Sequence, residues 1–158
     1  MQKLIGSIRT ELQNYADRGI FRNFSVGDSG GVVVDFRFNW LTGTPFHLRL
    51  NANKPELDLK DVLPSVPFRS SMDIALRNFI VDRCDDSLPD HRRLDVSRFN
   101  FTCRNRQQKI SIRIGFDPED ACDAAKTAVN LLHEIFNNFL LDGPYQNYMV
   151  EVFNVPEE

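Results

Sequence analysis

Hydrophobic residues recur at intervals of three and four between residues 117 and 143, and this spacing predicts one long amphipathic helix. Asp117 and Pro118 indicate its start, because a carboxylate can accept from free backbone N–H groups and proline lacks the N–H that would be free. Gly143 and Pro144 predict its end. Its apolar face is formed by small residues first and large ones last: Ala121, Ala124, Ala125, Ala128, Val129, Leu132, Ile135, Phe136, Phe139 and Leu140.

The same spacing predicts two further helices. The first covers residues 4–16, about four turns at 3.6 residues each, and ends at Gly19. The second begins at Ser70 or Ser71, since either hydroxyl can cap a helix, and continues to about Ile80.

Alternation of apolar and polar residues predicts β-strands in the remaining segments. The clearest strand covers residues 32–40, and similar patterns cover residues 20–26, 46–52, 97–104 and 110–116. Short polar or glycine-containing turns separate consecutive strands, which favours antiparallel pairing between neighbours.

Strands that group as hairpins predict an α+β fold with an antiparallel five- or six-stranded sheet and helices on one face. The predicted element order is α-βββ-α-ββ-α, in a single domain over residues 1–158. Residues 53–69 contain three prolines and are interpreted as a long loop. Residues 145–155 have apolar residues on both parities, so they form either a sixth strand or a packed tail.

Composition restricts the functional classes. Of the 158 residues, 42% are hydrophobic. No apolar run approaches the ~20 residues of a membrane-spanning helix. The three cysteines are widely spaced, which argues against a disulfide framework, and the first residues do not resemble a secretory signal. We therefore expect an intracellular, cytoplasmic protein that does not associate with a membrane.

Charge is distributed unevenly along the chain. Residues 88–116 carry seven basic and two acidic side chains, whereas residues 117–158 carry one basic and nine acidic ones. These two segments could pair with each other in the fold. Strand alternation also places arginines opposite the apolar face, and the polar loop 84–93 adds more. The candidate partner-binding residues are Arg37, Arg49, His91, Arg92, Arg93, Arg98, Arg104 and Arg113.

No motif specifies catalytic residues, a metal or a cofactor, so the sequence assigns none of these, and whether the protein is an enzyme stays open. Gly30 and Gly31 lie between strands, whereas a nucleotide-binding loop precedes a helix. No histidine or cysteine pair has the close spacing of a metal site. The aromatic residues of the basic strands fall on the apolar parity, and the sequence pI of about 5.6 is not basic, which argues against nucleic acid as a partner.

The element order over residues 1–142 resembles the type III secretion chaperone-like fold. The resemblance is one of topology and rests on no residue motif, so it assigns no role to individual residues. It implies an intracellular, non-catalytic protein, commonly a homodimer, that binds an extended segment of another polypeptide.

Two functions therefore remain open. The first is binding of another polypeptide by a chaperone-like or adaptor homodimer without catalytic activity. The second is a small-molecule-binding protein or enzyme, whose pocket would lie between the sheet and the loops 53–69 and 84–93. The candidate groups of that pocket are His47, Asp90, His91 and Arg92.

Overall fold

The computed structural model describes residues 2–28, 31–141, 143 and 145–153, apart from the side chain of His91. The helices are α1 (Gln2–Asp17), α2 (Ser71–Asp82), α3 (Ala121–Glu134) and α4 (Gln146–Phe153), with 3-10 turns at Asp90–Arg92 and Pro118–Asp120 and a π-helical segment at Ile135–Leu141. The strands are β1 (Arg22–Asp28), β2 (Val33–Trp40), β3 (Thr42–Asn51), β4 (Glu56–Leu63), β5 (Asn100–Arg106) and β6 (Lys109–Gly115).

The six strands form one antiparallel sheet in the order β1-β2-β3-β4-β6-β5. This architecture confirms the predicted α+β class and the antiparallel sheet. Strands β1 to β4 form a meander, and the β5–β6 hairpin joins that meander through β4. The two edges of the sheet are therefore β1 and β5.

The prediction of a loop over residues 53–69 is wrong, because this segment contains β4. Leu59 is fully buried and lies opposite Leu48 of β3 and Ile112 of β6, so β4 occupies the middle of the sheet. Asp61 has a φ of 48° and lies within an irregularity of the β4–β6 register. This bulge breaks the side-chain alternation that would have identified a strand.

The C-terminal segment forms helix α4, which excludes a strand, the first of the two alternatives left open for residues 145–155, and agrees better with a packed tail. Met149 and Phe153 are buried, and the ring of Phe153 meets that of Phe136 edge-on at 5.3 Å. Residues 154 and 155 lie outside the described part of the chain. The sixth strand of the sheet is β4.

The predicted helix over residues 117–143 divides into a 3-10 turn, α3 and the π-helical segment. Asp117 precedes the 3-10 turn as predicted, but its side chain makes no capping hydrogen bond. Gly143 does not adopt the left-handed conformation of a helix end. A side chain there would instead collide with the carbonyl oxygen of Phe139. Ser70 does cap α2, since its Oγ accepts from the backbone N–H of Asp73.

Helices cover the apolar face of the sheet. The faces of β2, β3 and β6 that were predicted to be apolar are buried. The alanines that begin α3 are buried as well, and their small size lets α3 approach α1 and β4 closely. Within the described ranges, no helix combines the length and apolar character that a membrane crossing requires.

The two sheet edges differ. On β5, the carbonyl of Cys103 accepts a hydrogen bond of 3.0 Å from Arg77 of α2. The side chain of Asn105 donates to the carbonyl of Val66 at 2.8 Å. On β1, no side chain among the described residues bonds to the backbone of residues 24–27. The β5 edge is therefore partly occupied by the protein itself.

We expect Leu59→Ala to lower the free energy of unfolding by about 2–5 kcal/mol, because it opens a cavity beneath the middle of the sheet. Val96→Ala is the control, since Val96 is 63% exposed and its truncation should cost less than about 0.5 kcal/mol. Urea denaturation monitored by circular dichroism measures both variants. Equal midpoints for the two would contradict a central position for β4.

Candidate binding surface

The sheet face opposite the helices carries charged side chains. We define the polar sheet face as Asp35, Arg37, His47, Arg49, Glu56, Asp58, Lys60, Thr102, Arg104 and Arg113. Asp35 lies opposite Arg49, which in turn lies opposite Asp58. Asp58 lies opposite Arg113. A row of alternating charge thus crosses four adjacent strands, and no ion pair among the described residues joins this face to a helix.

Asp35 anchors one half of this row. His47 Nε2 lies 2.6 Å from its Oδ1, and Arg49 Nε donates to the same oxygen at 2.8 Å. Partial burial acts to raise the pKa of Asp35, but the hydrogen bonds from Arg49 and His47 outweigh it and lower the pKa below its ordinary value. Asp35 therefore remains ionised and fixes the positions of both partners.

Asp58 anchors the other half. It is only 7% exposed, and its Oδ2 lies 3.5 Å from Arg104 Nη2 and 3.6 Å from Arg113 Nη2. These separations exceed ordinary hydrogen bonds, and Oδ1 of Asp58 has no hydrogen-bond partner among the described residues. Arg113 Nε lies 3.3 Å from Glu56. Ion pairs at these longer distances therefore stabilise the centre of the face, and one carboxylate oxygen of Asp58 can still accept a hydrogen bond.

Four of the candidate partner-binding residues lie together on this face: Arg37, Arg49, Arg104 and Arg113. Arg98 does not, and its predicted place on the sheet face is wrong. The strand β5 begins at Asn100, after a turn in which Asp95 accepts the backbone N–H of Ser97. The side chain of His91 lies outside the described residues.

Arg98 connects the loop before β5 to the start of α3. Its Nη2 donates to Asp120 at 2.7 Å and to Asp123 at 2.6 Å. The hydrogen bonds from Asp120 and Asp123 raise the pKa of the guanidinium further above its usual range. Arg93 pairs locally with Asp90 at 3.1 Å. Part of the basic segment 88–116 thus pairs with the acidic segment that follows it, which was one possibility raised by the distribution of charge along the chain.

Arg92 belongs to a buried cluster that the sequence did not reveal. Its Nε donates to Glu134 of α3 at 2.9 Å, and Arg83 Nη1 lies 3.6 Å from the same oxygen. Glu134 is 5% exposed and also accepts from Asn138. The burial of Glu134 could have been predicted from its spacing in the sequence. It follows Leu131 by three positions and therefore lies on the same buried side of the helix.

The groups proposed for a small-molecule pocket do not converge. His47 lies on the polar sheet face, whereas Arg92 contacts α3 on the helical side. The side chain of Asp90 is 94% exposed. Residues 53–69, which were predicted to border that pocket as a loop, contribute strand β4 to the sheet.

A separate cleft of about 630 Å³ lies between α1 and the start of α3. Leu4, Ala52 and Ala121 line it, together with the exposed thiol of Cys122. Burial raises the pKa of this thiol, and a hydrogen bond to Glu11 at 3.4 Å raises the pKa further. Both effects disfavour the thiolate, which is the nucleophilic form of cysteine.

Among the described residues, one cluster of three carboxylates is close enough together to hold a metal ion. Asp117, Glu119 and Asp120 bring their oxygens within 4.8 Å of one another. Asp117 and Glu119 are exposed, and Arg98 already neutralises Asp120. These features are those of a solvated helix start.

Comparisons with protein-family models, with curated proteins and with solved structures found no match to this chain. The polar sheet face is distinguished by its row of alternating charge and by the absence of a described ion pair between this face and a helix.

We expect Glu134→Gln to lower the free energy of unfolding by about 2–3 kcal/mol, because it leaves the largely buried Arg83 without a counter-charge. Arg92 is half-exposed, so water replaces part of its lost interaction. Glu151→Gln is the matched control on an exposed helix position and should change stability by less than about 0.5 kcal/mol. Thermal unfolding of both variants measures the difference, and equal stability of the two would refute the structural role of Glu134.

Proposed function

We propose that this protein binds another polypeptide through the polar sheet face, as a chaperone-like or adaptor protein of the cytoplasm without catalytic activity. The observation that carries the proposal is the row Asp35, Arg49, Asp58 and Arg113, in which charges alternate from strand to strand on a face that no described ion pair joins to a helix. Such a face offers charge complementarity over an extended area.

A polypeptide fits this face better than other ligand classes. Neighbouring strands lie ~4.8 Å apart, so alternating charges repeat at a spacing that a chain with acidic and basic residues can match. Single-stranded nucleic acid would need exposed rings on which to stack its bases, and the rings of β2 and β3, Phe36, Phe38 and Phe46, are buried on the other face of the sheet. A small molecule would require a concave site, and the charged groups here lie on an open sheet.

Two further observations support the proposal. The element order predicted from the sequence resembles the type III secretion chaperone-like fold, which implies binding of an extended polypeptide segment; the structure adds β4 and α4 to that order. The cysteines Cys84, Cys103 and Cys122 are all free thiols, which suits a reducing compartment.

We expect Thr102→Trp to abolish binding of the partner polypeptide, because it places a bulky ring on the polar sheet face without changing charge. Thr102 is exposed and lies opposite Arg113. Thr10→Trp is the matched control, since Thr10 is exposed on α1. Native mass spectrometry of the tagged protein isolated from its own host measures the bound mass.

The expected spectrum contains a second polypeptide of defined mass and stoichiometry with the wild type and Thr10→Trp, but not with Thr102→Trp. Retention of that polypeptide by both variants would place the contact elsewhere. A bare protein in all three preparations would contradict the proposal.

We further propose that the protein is a homodimer that associates through the outer face of α2. Ile74 and Val81 are 50% and 69% exposed and, being seven residues apart, share one side of the helix. The charge at the two ends of this side differs, with Arg69 before the helix and Asp82 and Asp85 at its end. An antiparallel arrangement of two copies about a two-fold axis would bring these opposite charges together.

We expect Ile74→Asp to convert this dimer to a monomer, because it places a carboxylate in the apolar contact. Val96→Asp introduces the same charge at another exposed apolar position and should leave the dimer intact. Sedimentation velocity at micromolar concentration measures both masses. A monomeric wild type under these conditions would refute the dimer.

A further inference from the structure

The cations of the sheet fall into two groups. Those in the middle of the polar sheet face are paired with carboxylates, as described above. Five others form no ion pair and no side-chain hydrogen bond with another described residue. We define these five as the basic rim: Arg22, Arg37, Lys60, Arg106 and Lys109. Four of them are exposed and Lys60 is half-buried.

The strand directions bring the basic rim to one end of the sheet. Arg22 is the first residue of β1, Lys109 is the first of β6, and Arg106 is the last of β5. Arg37 and Lys60 lie further inward, three residues before the ends of β2 and β4 and one row from the paired residues Asp35 and Asp58. Because the strands are antiparallel, the starts of β1 and β6 coincide with the ends of β2, β4 and β5. The rim therefore extends from one edge strand to the other.

Few carboxylates balance this end of the sheet. Asp61 is exposed within the β4 bulge, where its carboxylate lies 3.4 Å from Ser111 Oγ. Asp73 is buried at the start of α2 and accepts the backbone N–H of Arg69. The opposite end of the sheet carries Asp28 on β1 and Asp117 two residues after β6, and its Glu56 on β4 is paired with Lys54 and Arg113. An unpaired basic end thus stands out on a chain whose net charge is −3.

We propose that the partner segment is an extended acidic polypeptide whose carboxylates lie across the basic rim. This inference rests on the proposed function and specifies the chemistry of the partner. Unpaired cations attract a ligand without breaking an internal ion pair, so the rim, and not the paired row beside it, determines the charge preference. The distance from β1 to β5 is five strand spacings, or about 24 Å. An extended chain of about seven to eight residues spans that distance.

Nucleic acid is a poorer occupant of the rim than an acidic peptide. Single strands bind basic surfaces through stacking on exposed aromatic rings. At the β1 end of the rim, Phe21 is buried and Trp40 is partly buried and stacks on His133. At the β5 end, Phe68 is 59% exposed, two residues after Val66, whose backbone N–H donates to the carbonyl of Gln108 in the β5–β6 turn. Among the described residues the rim thus has one exposed aromatic ring near it, at the β5 end, and not the series of rings on which successive bases stack.

Fluorescence anisotropy with a labelled oligoglutamate of about eight residues tests the inference. The wild-type protein should bind this peptide with an affinity that falls as salt rises. An oligolysine of equal length is the reversed-charge probe, and a single-stranded oligothymidylate is the competing polyanion. Both should bind more weakly than the oligoglutamate.

The double variant Arg37→Glu/Lys60→Glu reverses two rim charges and should weaken oligoglutamate binding on the order of tenfold or more. Arg9→Glu/Lys126→Glu changes the net charge equally at exposed positions on α1 and α3, and should leave the affinity within about twofold. Circular dichroism of each variant confirms that it is folded.

Three results would overturn the inference: no binding of oligoglutamate, equal losses in both double variants, or tighter binding of oligothymidylate. Binding of the host polypeptide distinguishes failure of this inference from failure of the proposed function. If Thr102→Trp loses that polypeptide but Arg37→Glu/Lys60→Glu retains it, the protein binds a polypeptide through this face, but the preference for an acidic segment is refuted.

Discussion

The pairing of β4 on both of its sides is the constraint on which the architecture depends. Without β4, the strands β1 to β3 and the β5–β6 hairpin would share no hydrogen-bonded neighbour. The same strand supplies Asp58, which lies between Arg49 and Arg113. Strand β4 therefore joins the two parts of the sheet and also supplies the carboxylate in the middle of the charge row. A change that detached β4 would remove the fold and the candidate surface together.

Sequence periodicity predicted the elements in which side-chain environment alternates without interruption. Strands β2, β3 and β6 keep one buried and one polar face along their length, and the predicted apolar parity was correct for each. Strand β4 lies between Pro55 and Pro64 and contains the bulge at Asp61. Its buried residues consequently change parity, and a strand buried within the sheet looked like an irregular loop. Local pattern does not report pairing partners far away in the chain.

The candidate surface was predictable in its composition but not in its arrangement. Alternation placed Arg37, Arg49, Arg104 and Arg113 on one face, and the structure agrees. Which cations are neutralised depends on strand register and on loop path. Arg92, for example, reaches a glutamate that is 42 positions away in sequence. A charge count along the chain therefore cannot distinguish cations that hold the protein together from those that remain available.

The hydrogen bond from Arg77 to the carbonyl of Cys103 has a consequence for how copies of this chain could add to one another's sheets. Pairing of β1 in one molecule with β5 in the next is a head-to-tail contact, which leaves free edges for further copies unless the molecules close into a ring. An incoming strand at β5 would first have to displace the Arg77 side chain. Arg77 therefore protects one of the two sheet edges against the addition of strands from other molecules.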